Sequence, residues 1–486
     1  MEAIADDTLA KAKTLINGYI SPQMNSIDLN IKAENTRLDF MRDFCGSFLN
    51  NIDLNGEGNV RLHGTFNALE LTGQLVAKGF ATVTSTNCRY ELPSDTIVLI
   101  PGDMLFSNVP IKDKYGNIAN VSGGIHHRHL GRIAYDVHIK TDKLLAYDIP
   151  TLDGSTYCGK AVIQGNVGIK GKGNELNVDA DVTTLDDSYI IYNTTSPDMV
   201  SNRDFITWGS LNENKDATDD STAINTSHAN IDNGNQRTNI RLKFNVNVTP
   251  KAKLHLLMDA ISGDYIDLFG NGQLQISFYN KGAFQIFGNY NIDHGIYRMT
   301  IQNILRREFA FQNGSLIAFG GDPFEATLRM KAAYMLNSVS LADLNIGTSF
   351  KANNVPVNCL MNITGTAGRP LVDFSLDLPT LDNEAKQMVY SIVNSDESMN
   401  QQVLYLLAIG RFYSSDKNRS DDSERTGQTT LAMQSFLSGT FSQQLNQVLN
   451  QLTNNNNWSF GANIATGTDG MSNAEYEGIL SGRMLN

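Results

Sequence analysis

The chain has 486 residues, 41% of them hydrophobic and 18% charged. Its mean hydropathy of −0.25 suits a packed core and excludes a membrane-embedded helical bundle. Lysine and arginine number 38 against 51 acidic residues, for a net charge of −13 with no basic stripe, which excludes a cationic nucleic-acid footprint.

Residues 1–26 open with MEAIADDTLAKAKTLINGY, which lacks the basic and apolar regions of a signal peptide, and are expected to form a helical lead-in. From residue 27 to 207 the text is strand and turn, as in GNVRLHGTF (58–66), LELTGQLVAKGF (69–80) and ELNVDADV (175–182). Apolar and polar residues alternate there with the period of half-buried strands, and short connections place successive strands side by side. The stretch 208–239 holds few large apolar residues and is expected to be a disordered insertion.

A second β region runs over 240–379. Leu242, Phe244, Val246, Val248, Leu254, Leu256 and Met258 share one parity, opposed by Arg241, Lys243, Asn245 and Asn247. Leu274, Ile276 and Phe278 continue that apolar set in GQLQISFY (272–279). One face is therefore apolar and the other solvated, as in an open antiparallel sheet. The units keep no fixed period, so a quasi-repetitive solenoid or one long sheet is expected. Such a sheet must curl over its apolar face or hold something apolar against it.

Residues 380–453 turn helical. Asp382 or Asn383 is a candidate N-cap, and Gly410 a candidate end for the helix in 395–413. A charged linker over 416–429 precedes the amphipathic stretch 430–452, whose Met433, Phe436, Leu437, Phe441, Leu445, Val448 and Leu449 recur at intervals of three and four. Its other face carries Gln and Asn rather than Lys and Arg, so docking in a protein groove is expected over binding at a bilayer surface. Plugging the end of the β region is the alternative. Residues 454–486 return to strand-like text that stops in mid-pattern, as a truncated β segment would.

Catalytic and metal signals are weak. Cys45, Cys88, Cys158 and Cys359 lie far apart without metal spacing. His126, His127, His129 and His138 fall on a hairpin-like stretch where neighbours face opposite sides, so they do not converge as zinc ligands. Asp179, Asp181, Asp186 and Asp187, like Asp259, Asp264 and Asp267, read as solvated turn acids. GxSxG and HExxH are absent. Neither enzyme activity nor a cofactor is expected.

The most specific text spans residues 282–344. Gly295 and Tyr297 are followed by Phe309, Phe311, Gly314, Ser315, Ile317 and Phe319. Gly321, Asp322, Pro323, Ala326, Leu328, Ala332 and Tyr334 complete the string. It resembles the C-terminal domain of the TamB family, envelope proteins related to AsmA and the bridge-like lipid-transfer proteins. The resemblance is specific over about 240–460 and weaker over 27–240. It implies an all-β fold, a long curled antiparallel sheet or groove, followed by short amphipathic helices. The apolar lining would carry phospholipid acyl chains between inner and outer membranes, with Leu242, Phe244, Val246, Val248, Leu254, Leu256, Met258, Leu274, Ile276 and Phe278 as lining candidates. A TamA-like or BamA-like outer-membrane barrel would be the partner. The setting would be the periplasm, with an inner-membrane anchor that this text lacks and that a longer protein would supply. Two other readings stay open: an assembly factor for barrel proteins with a purely structural groove, and a β-solenoid adhesin or polysaccharide binder exposing aromatic and Asn ladders.

Overall fold

The computed structural model describes residues 2–7, 12–38, 49–153, 155–193, 239–259, 262–301, 305–344, 354–413, 458–467 and 470–482. The fold is all-β and mostly antiparallel, with 72% strand and two short α-helices among the described residues. Two compact units divide it: 1–254 with 271–288, and 255–270 with 289–486.

In the first unit the strands are β1 (Glu2–Asp7), β2 (Ala12–Ser21), β3 (Ser26–Arg37), β4 (Leu49–Thr65), β5 (Ala68–Val83), β6 (Cys88–Ile100), β7 (Asp103–Asp113) and β8 (Ile118–Arg128). There follow β9 (Gly131–Ile149), β10 (Tyr157–Lys172), β11 (Glu175–Thr184), β12 (Tyr189–Asn193) and β13 (Asn239–Val248). From β1 to β11 each strand pairs antiparallel with its predecessor. The succession then changes. β12 returns to β10, with Tyr157 opposite Tyr192, while β13 lies parallel to β11, with Ala180 opposite Phe244. The later half of β15 (Asp264–Tyr279) pairs antiparallel with β13.

The expected helical lead-in is corrected: residues 2–7 and 12–21 are strands. β2 sets Thr14, Ile16, Gly18 and Ile20 opposite Ala33, Ile31, Leu29 and Ile27 of β3. Thr, Ile and Tyr favour the pleated surface, and a neighbouring strand supplies backbone partners along the whole segment, which outweighs a weak helical preference.

Glycines inside strands allow close backbone approach. Gly123 on β8 has a φ of +139°, and a Cβ there would lie 2.0 Å from the Asp136 carbonyl oxygen on β9. Only a residue without a Cβ fits that conformation and that distance.

The second unit begins on β14 (Lys253–Asp259) and β15 and continues through β16 (Gln285–Ile301), β17 (Leu305–Phe311), β18 (Ser315–Gly321), β19 (Thr327–Ser340), β20 (Asn354–Thr366) and β21 (Arg369–Asp377). Gly314, at φ +89°, turns β17 into β18. Beside it the buried Ser315 hydroxyl donates to the Gln312 carbonyl at 2.7 Å and accepts the Lys331 N–H at 3.0 Å. The Asp322 carboxylate caps the 3-10 turn Pro323–Glu325 by accepting the Phe324 N–H at 2.9 Å. The segments Asn313-Gly314 and Gly321-Asp322-Pro323 are thus turns held by local hydrogen bonds.

Helix α1 (Asn383–Ile392) starts at Asp382, whose side chain accepts the Ala385 N–H. Helix α2 (Asp396–Ile409) starts in a Ser395–Ser398 capping box and ends at Gly410, with φ +70°. Val389, Val403, Leu406 and Leu407 are buried, as are Phe309, Val357, Cys359, Met361 and Leu378 of the strands and their end. Arg307 on β17 donates from Nε to the Leu407 carbonyl at 2.7 Å, tying the end of α2 to the sheet. β22 (Trp458–Gly467) and β23 (Gly470–Gly482) form a separate antiparallel hairpin. Of the expected insertion at 208–239 all but Asn239, which opens β13, lies outside the described residues, as do the linker 416–429, the stretch 430–452 and Cys45.

Candidate functional site

Cross-strand register converts the alternation of single strands into a face. On β13 and β15, Leu242 stands opposite Phe278, Phe244 opposite Ile276, and Val246 opposite Leu274, while Val248 meets Gly272. On the other side of β13, Val178, Ala180 and Val182 of β11 stand opposite Leu242, Phe244 and Val246. The row through Phe244 continues across β10, β9, β8 and β7 as Val167, Ile139, Val121 and Val109. A row spanning β7, β8, β9, β10, β11, β13 and β15 is roughly 30 Å wide at about 4.8 Å per strand. Every position in it is aliphatic, Ala or Phe.

The opposite face repeats the geometry with different chemistry. One residue along, Asn120, Lys140, Asn166, Asp181, Asn245 and Gln275 form the matching row, and all are exposed. Phe244, Ile276, Ala180, Val167, Ile139 and Val121 are only half-buried. Among the described residues the apolar row therefore pairs through its backbone and keeps part of its side-chain surface open. Leu254, Leu256 and Met258 follow on β14 with the shared parity and are also half-buried, the last two belonging to the second unit.

Between β6, β7 and β8 the face deepens into a concavity of about 190 Å³ lined by Leu92, Ile97, Phe106, Val109, Ile111 and Val121, with Asp95 beside them. A register shift between Phe106 and Val109 on β7 accompanies it. Sequence reasoning missed these residues, because the alternation of β7 is broken at the bulge. Elsewhere in the unit, Cys88, Leu145 and Val162 form a buried cluster with Tyr90 and Leu185 packed on it, and the Tyr90 hydroxyl donates to the Leu145 carbonyl at 2.8 Å.

The polar clusters organise as structure. His126 meets Asp103 at 2.5 Å and His129 meets Glu70 at 2.9 Å, each imidazole taking its own carboxylate. The buried His127 accepts the Leu130 N–H, and His138 lies by Asp136. Asp186 pairs with Lys251, and Asp267 with His255 at 2.6 Å. No group of three or more His, Cys, Asp or Glu is placed to hold a metal ion among the described residues. Cys88, Cys158 and Cys359 are free and buried. Burial pushes the Cys88 thiol up to about 11 and the Cys359 thiol up to about 12, the opposite of a nucleophilic cysteine.

The pattern of the TamB C-terminal domain matches residues 107–482, well over half of the chain and all of the apolar row. The chain belongs to the TamB family. TamB is a non-enzymatic transport and assembly family of the cell envelope that works in outer-membrane assembly. A comparison with curated proteins returns no match. The Gly-Ser and Gly-Asp-Pro positions of the TamB-like string hold turns and caps in this chain, whereas the apolar row lies outside that string. No helix among the described residues is long and apolar enough to cross a membrane.

Proposed function

We propose that the apolar face of β7 to β15 receives phospholipid acyl chains and passes them across the periplasm between the inner and outer membranes, in support of outer-membrane assembly with a TamA-like or BamA-like barrel. One observation carries the reading: the apolar row from Val109 to Ile276 is continuous and only half-buried over most of its length. Covering a methylene contributes about 0.8 kcal/mol, so each partly exposed position gains from an acyl chain laid against it. Equivalent positions along the face let a chain move without entering water, while headgroups remain at the wet edge. Family membership supplies the envelope setting.

Photo-crosslinking amino acids at Phe244 and Ile276, and at Lys243 and Asn245 as controls, test it in the full chain expressed in a bacterial envelope. Mass spectrometry should find phospholipid adducts at the first two positions and none at the controls. Equal labelling of both faces, or adducts at neither, overturns the proposal.

A further inference from the structure

The same sheet carries a second concavity on its polar side. About 340 Å³ in volume, it crosses β2, β3, β4 and β5 and is lined by Leu15, Asn17, Asn30, Lys32, Asn59, Arg61 and Thr72, with Ile31, Val60 and Gly73 of the intervening row also bordering it. Register explains the lining. Asn17, Asn30, Arg61 and Thr72 form one cross-strand row, and Leu15, Lys32, Asn59 and Gln74 form the next. Both rows alternate with the apolar row through Ile16, Ile31, Val60 and Gly73, so this concavity opens opposite the apolar side. At Gly73 φ is +130°, and a Cβ would lie 2.2 Å from the Asn59 carbonyl oxygen. The missing side chain lets the two strands close in there.

Charge within the concavity is already matched. Arg61 donates through two nitrogens to Asp28, at 2.9 and 2.7 Å, and Lys32 pairs with Glu34 at 2.9 Å. The Arg61 contact holds the Asp28 carboxyl below the usual carboxylate range. What faces solvent beyond these pairs is neutral: the exposed amides of Asn17, Asn30 and Asn59, and the Thr72 hydroxyl. Primary amides offer a donor and an acceptor on one planar group, the complement of a vicinal diol or an acetamido substituent. Tyr19, 47% exposed, lies in the adjoining row opposite Asp28 and presents a ring on this side of the sheet. Volume, neutral amides at neighbouring strand spacings and one aromatic platform together fit a carbohydrate rather than an anion or an acyl chain.

We propose that the polar concavity of β2 to β5 is a binding site for a neutral glycan, separate from the apolar face and independent of whether that face takes lipid. The full chain is titrated by isothermal calorimetry with chitotetraose and maltotetraose as neutral probes and with tetragalacturonate as the anionic one. At least one neutral tetrasaccharide should bind with a Kd on the order of 1 mM or tighter. Asn30→Ala combined with Asn59→Ala should weaken that binding roughly tenfold or more. The melting temperature of the double variant should remain that of the parent, because both side chains are exposed. Asn245→Ala, on the polar side of β13, is the control and should leave binding unchanged. Binding of tetragalacturonate alone, absence of binding to all three probes, or undiminished binding by the double variant overturns the proposal.

Discussion

Two phenylalanines in mid-strand show how differently the two units treat apolar text. Phe309 on β17 is 0% exposed, with the Tyr334 ring 5.9 Å away, in a unit where two helices follow the sheet and bury Val389, Val403, Leu406 and Leu407. Phe244 on β13 sits in an equally apolar row and stays half-buried, in a unit without a helix among its described residues. Strand alternation is the same in both. Strand text alone therefore does not separate a sealed core position such as Phe309 from a partly open one such as Phe244.

The largest effect that sharpens this contrast is expected at Phe309. Phe309→Ala should cost about 3–5 kcal/mol in urea unfolding, as cavity formation in a sealed core does. A cost below about 1 kcal/mol would remove the distinction between the units.

Next comes the backbone of the open sheet. Gly123→Val places a side chain at φ +139° against the Asp136 carbonyl, so about 1–3 kcal/mol should be lost. Gly314→Val, at φ +89° with nothing within 4 Å of the added Cβ, should cost less. If the two variants melt together, close strand approach in the first unit matters less than turn geometry in the second.

Alkaline pH tests the sealed core directly. Burial raises the Cys359 thiol from 9.0 to about 12, so between those values the unfolded chain sheds a proton that the native chain keeps. Native stability is therefore intact below about pH 9 and should fall as pH rises, by up to about 1.4 kcal/mol per pH unit from this thiol. Denaturation of the parent and of Cys359→Ala at pH 8.5 and 10.5 isolates the difference. Parallel pH slopes would show that the thiol is not sealed.

The smallest expected change is at Phe244. Phe244→Ala should cost less than Phe309→Ala, about 1–2 kcal/mol, because Phe244 is partly exposed rather than sealed. A loss as large as that of Phe309→Ala would mean that the apolar face is itself a closed core, and the proposed lipid surface would go with it.

Much of this was legible in sequence. Alternation over 241–258 and 272–279 assigns the parity of every lining candidate, and register then brings Leu242, Phe244 and Val246 opposite Phe278, Ile276 and Leu274. Asp382 and Gly410 mark their helix ends because capping is a local interaction. The N-terminal strands were illegible because what makes Ala12–Ser21 extended is β3, a neighbour that no local pattern names. The row from Val109 to Ile276 is likewise a product of register across seven strands. The need for glycine at Gly123 is not legible in the strand text, because it arises from the Asp136 carbonyl of the neighbouring strand, 2.0 Å from where a Cβ would stand. The polar concavity escaped notice because Asn17, Asn30 and Asn59 come from three strands and meet only through pairing.

The parallel pairing of β11 with β13 also bears on how the first unit assembles. From β1 to β11 each strand finds its partner in the preceding one, so the sheet can zip by short-range contacts. β13 instead reaches β11 only after residues 185–238 have passed by. Loop closure grows slowly with length, at roughly 0.6 kcal/mol per doubling. Lengthening the stretch 194–238 would thus delay completion of the apolar row far more than it would weaken the finished sheet, and until β13 arrives the edge of β11 stays open to other strands.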